Sequence, residues 1–177
     1  LAQLQAAKLN DDVEVAHYAA TAVAQISKES DLKLQQLERA FKTDPSAQNL
    51  NEYCDFLGEY LGSGLAEGRV AQIQRQQYAR LLARRCERED TLELRIRYAT
   101  ALADVGQIDE AQAVIDQLVL DVPEEQEVWM LCLRLAVMRR DGDEVHSVID
   151  AIDKQHVYLS AANREELAFW RNGEEAR

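Results

Sequence analysis

Apolar residues recur at helical spacing along almost the whole chain, and at strand spacing almost nowhere. The first predicted helix runs from Asp11 or Asp12 to Ser27, with Val15, Ala19, Ala22 and Ile26 on one stripe behind an aspartate cap. Leu1 to Leu9 reads as a shorter helical lead-in. The second helix runs from Ser30 or Asp31 to Lys42, with Leu34, Leu37 and Phe41 inward and Pro45 blocking continuation. The third spans Ser46–Leu61, where Leu50, Cys54, Leu57 and Leu61 share a face and Gly62 ends the run. The fourth covers Leu65–Arg88. Leu92–Val105 and Ile108–Leu120 follow, then Glu124–Arg140, a turn at Asp141-Gly142-Asp143, and a helix to Lys154. A last helix, Ala161–Arg171, carries Leu167, Phe169 and Trp170, with Asn172-Gly173 as its stop. The one strand-like run, Val119–Val122, reads as a helix end before Pro123.

The segment Leu92–Pro123 adds a register to this pattern. With Leu92 as the first position of a 34-residue unit, Tyr98 and Ala99 stand seventh and eighth. Leu102 is eleventh, Gly106 fifteenth and Ala111 twentieth. Ile115, Leu118 and Pro123 fall at twenty-four, twenty-seven and thirty-two. These are packing positions, a tight turn, a small contact and a stop, and the unit resembles the tetratricopeptide repeat. The resemblance extends to Gln126–Lys154, with Trp129 fourth in its unit, and weakens before Arg88. It implies an all-α fold: a right-handed superhelical solenoid of about four antiparallel helix pairs plus a capping helix, with a groove lined by the first helix of each pair. The expected divisions of this single domain are a degenerate helix pair (1–45), a lengthened repeat (46–91), the best repeat (92–125), a similar one (126–156) and the cap (157–177).

Composition agrees with a packed helical chain. Hydrophobic residues make up 47% of 177, and only 7 glycines and 2 prolines interrupt them. The net charge of −12 argues against nucleic acid and anionic lipid as partners. Cys54, Cys86 and Cys132 lie far apart, without metal-ligand spacing, and read as reduced core residues. No apolar run is long enough to span a membrane, and no signal peptide is present. The absence of an initiating methionine at Leu1 suggests a piece of a longer protein.

Catalytic chemistry finds no foothold in these residues. His17, His146 and His156 lack triad partners, and His17 beside Tyr18 is expected to pack within its helix. Gly62-Ser63-Gly64 with Gly68 invites a phosphate-loop reading, but no GK[ST] follows and no strand precedes it. Asp109-Glu110, Glu124-Glu125 and Glu165-Glu166 are read as acidic pairs at helix starts, where the dipole favours them. No cofactor and no metal are expected.

Two features stand out as candidate partner-binding surfaces. Between Ala66 and Arg88, six arginines stand against two glutamates, so this segment carries +4 and the remainder −16. Arg80, Arg84 and Arg88 fall on one face of the predicted helix. That face either pairs with acidic neighbouring helices or docks an acidic partner. The second feature is the stripe Tyr53, Phe56 and Tyr60, which either completes the core or lines the groove. The register puts Glu93, Arg97, Thr100 and Asp104 of one unit, and Glu127, Met130, Arg134 and Met138 of the next, at groove positions.

The opening run Asp12-Val13-Glu14-Val15-Ala16-His17-Tyr18-Ala19-Ala20-Thr21, followed by repeat-like pairs, resembles the cytosolic part of the PelE-type subunit of bacterial Pel exopolysaccharide synthesis. That resemblance implies a non-enzymatic scaffold on the cytosolic face of the inner membrane, anchored by a segment outside this sequence. Its implied partners are other synthase subunits, such as a cyclic-di-GMP receptor or a glycosyltransferase. The competing expectation is a cytosolic adaptor or co-chaperone that reads acidic peptide C-termini. That role needs a clamp of Lys, Arg and Asn, and only Arg97 and Arg134 stand at candidate positions.

Overall fold

A computed structural model describes residues 1–172, and the Gly173 part of the expected terminal stop lies outside them. The described residues are all-α, with helices packed in sequential pairs. They are α1 (Ala2–Ala7), α2 (Val13–Thr43), α3 (Ala47–Gly62), α4 (Gly68–Cys86), α5 (Leu92–Asp104), α6 (Ile108–Asp121), α7 (Gln126–Arg139), α8 (Gly142–Lys154) and α9 (Ala161–Asn172). Two compact units divide the chain, the first running Leu1–Arg85 and the second beginning at Cys86.

In the first unit α2 corrects the sequence reading. Residues 13–43 form one helix, not two. Asp12 caps it by accepting the Glu14 amide at 2.9 Å. The polar run Ser27–Ser30 looked like a turn, but it contains no glycine or proline to stop the helix. Across it, Gln25 Nε2 donates to Glu29 Oε1 at 2.6 Å, a bond between neighbours one turn apart. The helix stops at Asp44, which is extended ahead of Pro45. Asn49 Nδ2 then donates to the Asp44 carbonyl at 2.8 Å and closes the turn into α3. Leu34, Leu37 and Phe41 of α2 meet Leu50, Tyr53, Cys54 and Leu57 of α3 in the interior of this unit. The other end of α2 is less covered: His17 and Tyr18 are exposed, with their rings 6.2 Å apart.

The fourth helix is shorter than its pattern suggested. Gly64 and Gly68 both take positive φ (72° and 57°), which holds Leu65–Glu67 out of the helix. At the other end α4 stops at Cys86, so Arg88 sits in the following turn and does not extend the face of Arg80 and Arg84.

The second unit realises the repeat register. Thr91 and Glu125, 34 residues apart, cap α5 and α7 with their side chains. Gly106 and Arg140, also 34 apart, take the left-handed turn that ends the first helix of each pair. At each turn the next amide returns to a carbonyl of the preceding helix: Gln107 to Leu102 at 2.9 Å, Asp141 to Ala136 at 3.1 Å. The turn expected at Asp141-Gly142-Asp143 is therefore made by Arg140. Asp141 is the N-cap of α8, and Gly142 is already helical. Buried residues repeat at the same interval: Leu94 and Val128, Ala99 and Leu133, Ala111 and Val145, Ile115 and Ile149, Leu118 and Ile152. Leu133 is followed at the same interval by Leu167, a buried residue of α9. The terminal helix thus stands where the first helix of a further unit would start. Gln126 holds it there, its Oε1 accepting from the Ser160 amide at 2.8 Å and from Asn163 Nδ2 at 3.0 Å. Glu165-Glu166 consequently lies inside α9, beyond its first turn. The indole of Trp129 donates to the Pro123 carbonyl at 2.7 Å and fixes the α6–α7 connection.

Two measurements test these points. Ser30→Pro should cost about 3 kcal/mol or unravel the helix upstream, read as lost ellipticity at 222 nm; unchanged helix content would restore the two-helix reading. Arg140→Gly should stabilise the chain by about 1 kcal/mol by removing left-handed strain from a side-chain-bearing residue, read as a higher urea midpoint.

Candidate partner-binding site

The groove-register residues of the second unit stand on α5 and α7, which pack against each other as well as on their own partners. Arg134 of α7 donates to Asp104 Oδ1 of α5 at 2.5 Å, tying the end of one first helix to the middle of the next. Both side chains stay about 40% exposed, so the pair adds about 0–1 kcal/mol and mainly sets geometry. Arg97 lies 3.9 Å from Glu93, one turn away on α5. The Thr100 hydroxyl donates to the Ile96 carbonyl at 2.8 Å. Met130 is half-buried and Met138 exposed. The face thus mixes two methionines with arginines that acidic neighbours already engage. It does not form a carboxylate clamp of Lys, Arg and Asn.

The aromatic stripe of α3 turns inward. Tyr53 is 4% exposed and Tyr60 is 5% exposed, while Phe56 is half-buried. The Tyr53 ring packs on Phe41 with centroids 6.1 Å apart. Burial, reinforced by the nearby Glu38 carboxylate, pushes its phenol up to about 12. The Tyr60 hydroxyl donates to Asp31 Oδ1 at 2.6 Å. Burial first, then the Asp31 bond and charge, push this phenol up to about 12 as well. Both tyrosines fasten α3 to α2, and their burial fits the core reading of the stripe.

On α4 the arginines separate into two groups. Arg85 points inward and donates to Asp55 Oδ1 of α3 at 2.6 Å, a pair that raises its pKa against the opposing effect of burial. Arg80 and Arg84 are exposed, with the Arg84 guanidinium 5.9 Å above the Phe41 ring. Arg69 and Arg75 are exposed on the same helix. Neutralisation by neighbouring helices therefore accounts for Arg85, a residue that sequence reasoning did not single out. The signal for its role was present only as the distant Asp55.

Elsewhere the described residues hold no group of three or more His, Cys, Asp or Glu placed to bind a metal. Cys54 and Cys132 are buried and Cys86 is half-buried, all as free thiols. Burial pushes the Cys132 thiol up to about 12. No described helix is long and apolar enough to cross a membrane.

Comparison with known families agrees with this architecture. Residues 65–135, from just before α4 to within α7, match the family model of the tetratricopeptide repeat, a helical-repeat class that serves protein–protein interaction. No curated protein and no solved structure matches the chain significantly.

The tyrosine environment has a measurable consequence. A phenol whose folded pKa is raised stabilises the fold fully below its unfolded value near pH 10, and that contribution disappears as pH rises towards about 12. The urea midpoint should hold up to about pH 10 and then fall. In Tyr60→Phe the alkaline fall should be shallower. An identical fall in the variant would remove Tyr60 from the effect.

Proposed function

We propose that this chain is a non-enzymatic scaffold that gathers the subunits of a membrane-associated exopolysaccharide synthase of the Pel type. The observation that carries the scaffold reading is the 34-residue recurrence of the first-helix caps, the left-handed turns and a set of buried residues between α5–α6 and α7–α8. Such a stack spends its apolar surface on its own cohesion. It leaves exposed charged and methionine-bearing faces, which are contact surfaces and have no chemistry of their own. The narrower assignment is supported by the resemblance of Asp12–Thr21, followed by repeat pairs, to the PelE-type subunit. On this reading the partners are a cyclic-di-GMP receptor or a glycosyltransferase, met on the cytosolic side of the inner membrane. The adaptor reading is less well supported, because Arg97 and Arg134 already engage Glu93 and Asp104.

Immobilised chain should retain the purified receptor or glycosyltransferase subunit, read by biolayer interferometry. Met138→Glu with Arg97→Ala should weaken that binding about tenfold, or about 1.4 kcal/mol. Retention of neither subunit would overturn the exopolysaccharide assignment. Full retention by the double variant would remove the α5–α7 face as the contact.

A further inference from the structure

The basic helix α4 carries several guanidinium groups that no acidic side chain of the described residues neutralises. Arg69, Arg75, Arg80 and Arg84 are exposed, and none forms an ion pair among the described residues, although the chain holds 32 acidic side chains against 20 basic ones. Arg69 stands in the first turn of the helix, the positive end of its dipole, where a cation is disfavoured. Arg84, in the last turn, is favoured by the dipole and by the Phe41 ring, but stability gives no such reason for Arg69, Arg75 and Arg80.

Geometry gathers most of these residues. Arg69, Ile73, Gln76, Arg80 and Arg84 recur at intervals of four, three, four and four, so they share one helix face about 22 Å long. Ile73 is 57% exposed on that face, and Val70, equally exposed, borders it. Arg75 falls on a different side. At the far end Phe41 lies beneath the Arg84 guanidinium and supports it. The face is therefore a straight row of cations interrupted by one apolar contact point.

We propose that the Arg69–Ile73–Arg80–Arg84 face of α4 docks an acidic amphipathic helix of a partner protein. The partner's carboxylates meet the guanidinium groups, and an apolar residue covers Ile73 and Val70. A helix fits because the row is straight and spaced by helical turns, so carboxylates one and three turns apart on a partner match it. Charge selects the same occupant. The chain's net charge of −12 repels nucleic acid and anionic membranes at long range. An acidic helix also feels that repulsion, but it brings few charges and places them all against the row. The inference rests on the reading of this chain as a partner-binding protein, but it uses a surface separate from the α5–α7 face.

The test uses a fluorescein-labelled, alanine-based helical peptide of about 20 residues, with glutamates spaced to match the row and one leucine between them. Fluorescence anisotropy should show saturable binding that weakens with salt. Arg80→Glu/Arg84→Glu should weaken it at least about tenfold, and Arg80→Gln/Arg84→Gln by a smaller factor. Ile73→Ser should weaken it about threefold. Lys33→Glu/Arg39→Glu makes the same change in net charge at exposed positions of α2 and should leave binding intact. Met138→Glu with Arg97→Ala should also leave it intact, which separates this surface from the α5–α7 face. Circular dichroism confirms folding of each variant. Equal losses in both charge-reversed pairs, or no binding by the wild type, would overturn the proposal. So would binding to phosphatidylglycerol vesicles in place of the peptide.

Discussion

In the second unit a helix pair buries its apolar side against the next pair, and the rest of that unit follows from this dependence. In the second unit buried residues recur at the 34-residue interval, Leu94 and Val128, Leu118 and Ile152. A fully buried side chain of this kind contributes about 1.5–3 kcal/mol, and each is covered in part by residues of another helix. The left-handed turns and the caps of the first helices recur at the same interval and keep the apolar faces in register. The recurrence of the left-handed turn at Gly106 and Arg140 shows how strong this demand is. The second position keeps the geometry although its residue is an arginine.

The same dependence explains α9. It packs on α8, buries Leu167 at the repeat interval from Leu133, and is held at its N-terminal end by Gln126. Within the first unit the burial is arranged differently. One long helix, α2, meets α3 along its second half, and Tyr60 and Arg85 add polar ties from α3 and α4 to their neighbours. Side chains that looked like candidate anchors are used there for cohesion. The surfaces proposed for partners are ones with exposed side chains: the mixed face of α5 and α7, and the outer row of α4.

Much of the fold was legible in the residues, for identifiable reasons. Helix identity, the ends at Pro45 and Gly62, the turn at Gly106 and the repeat register from Leu92 onwards are written in spacings of a few residues. The reading failed where polarity was taken for a turn, as at Ser27–Ser30, and where helical spacing was extended past a real end, as at Arg88. It also placed the turn at Asp141–Asp143, one residue beyond Arg140, which takes the left-handed conformation. The candidate contact residues were less legible. Tyr53 and Tyr60 share a helix with Phe56, and nothing in their spacing tells which of them a neighbouring helix will cover.

By itself the sequence determined an all-helical chain with a repeat beginning at Leu92, a strongly acidic remainder and a concentrated basic helix. These properties depend on composition and on neighbours along the chain. Only the tertiary structure decided which side chains face inward and which charges are neutralised. The bonds concerned, Tyr60 to Asp31, Arg85 to Asp55 and Arg134 to Asp104, join residues about thirty positions apart. Local periodicity carries no information about such pairs. They form only when packing, driven by the shared burial of apolar stripes, brings separate helices side by side.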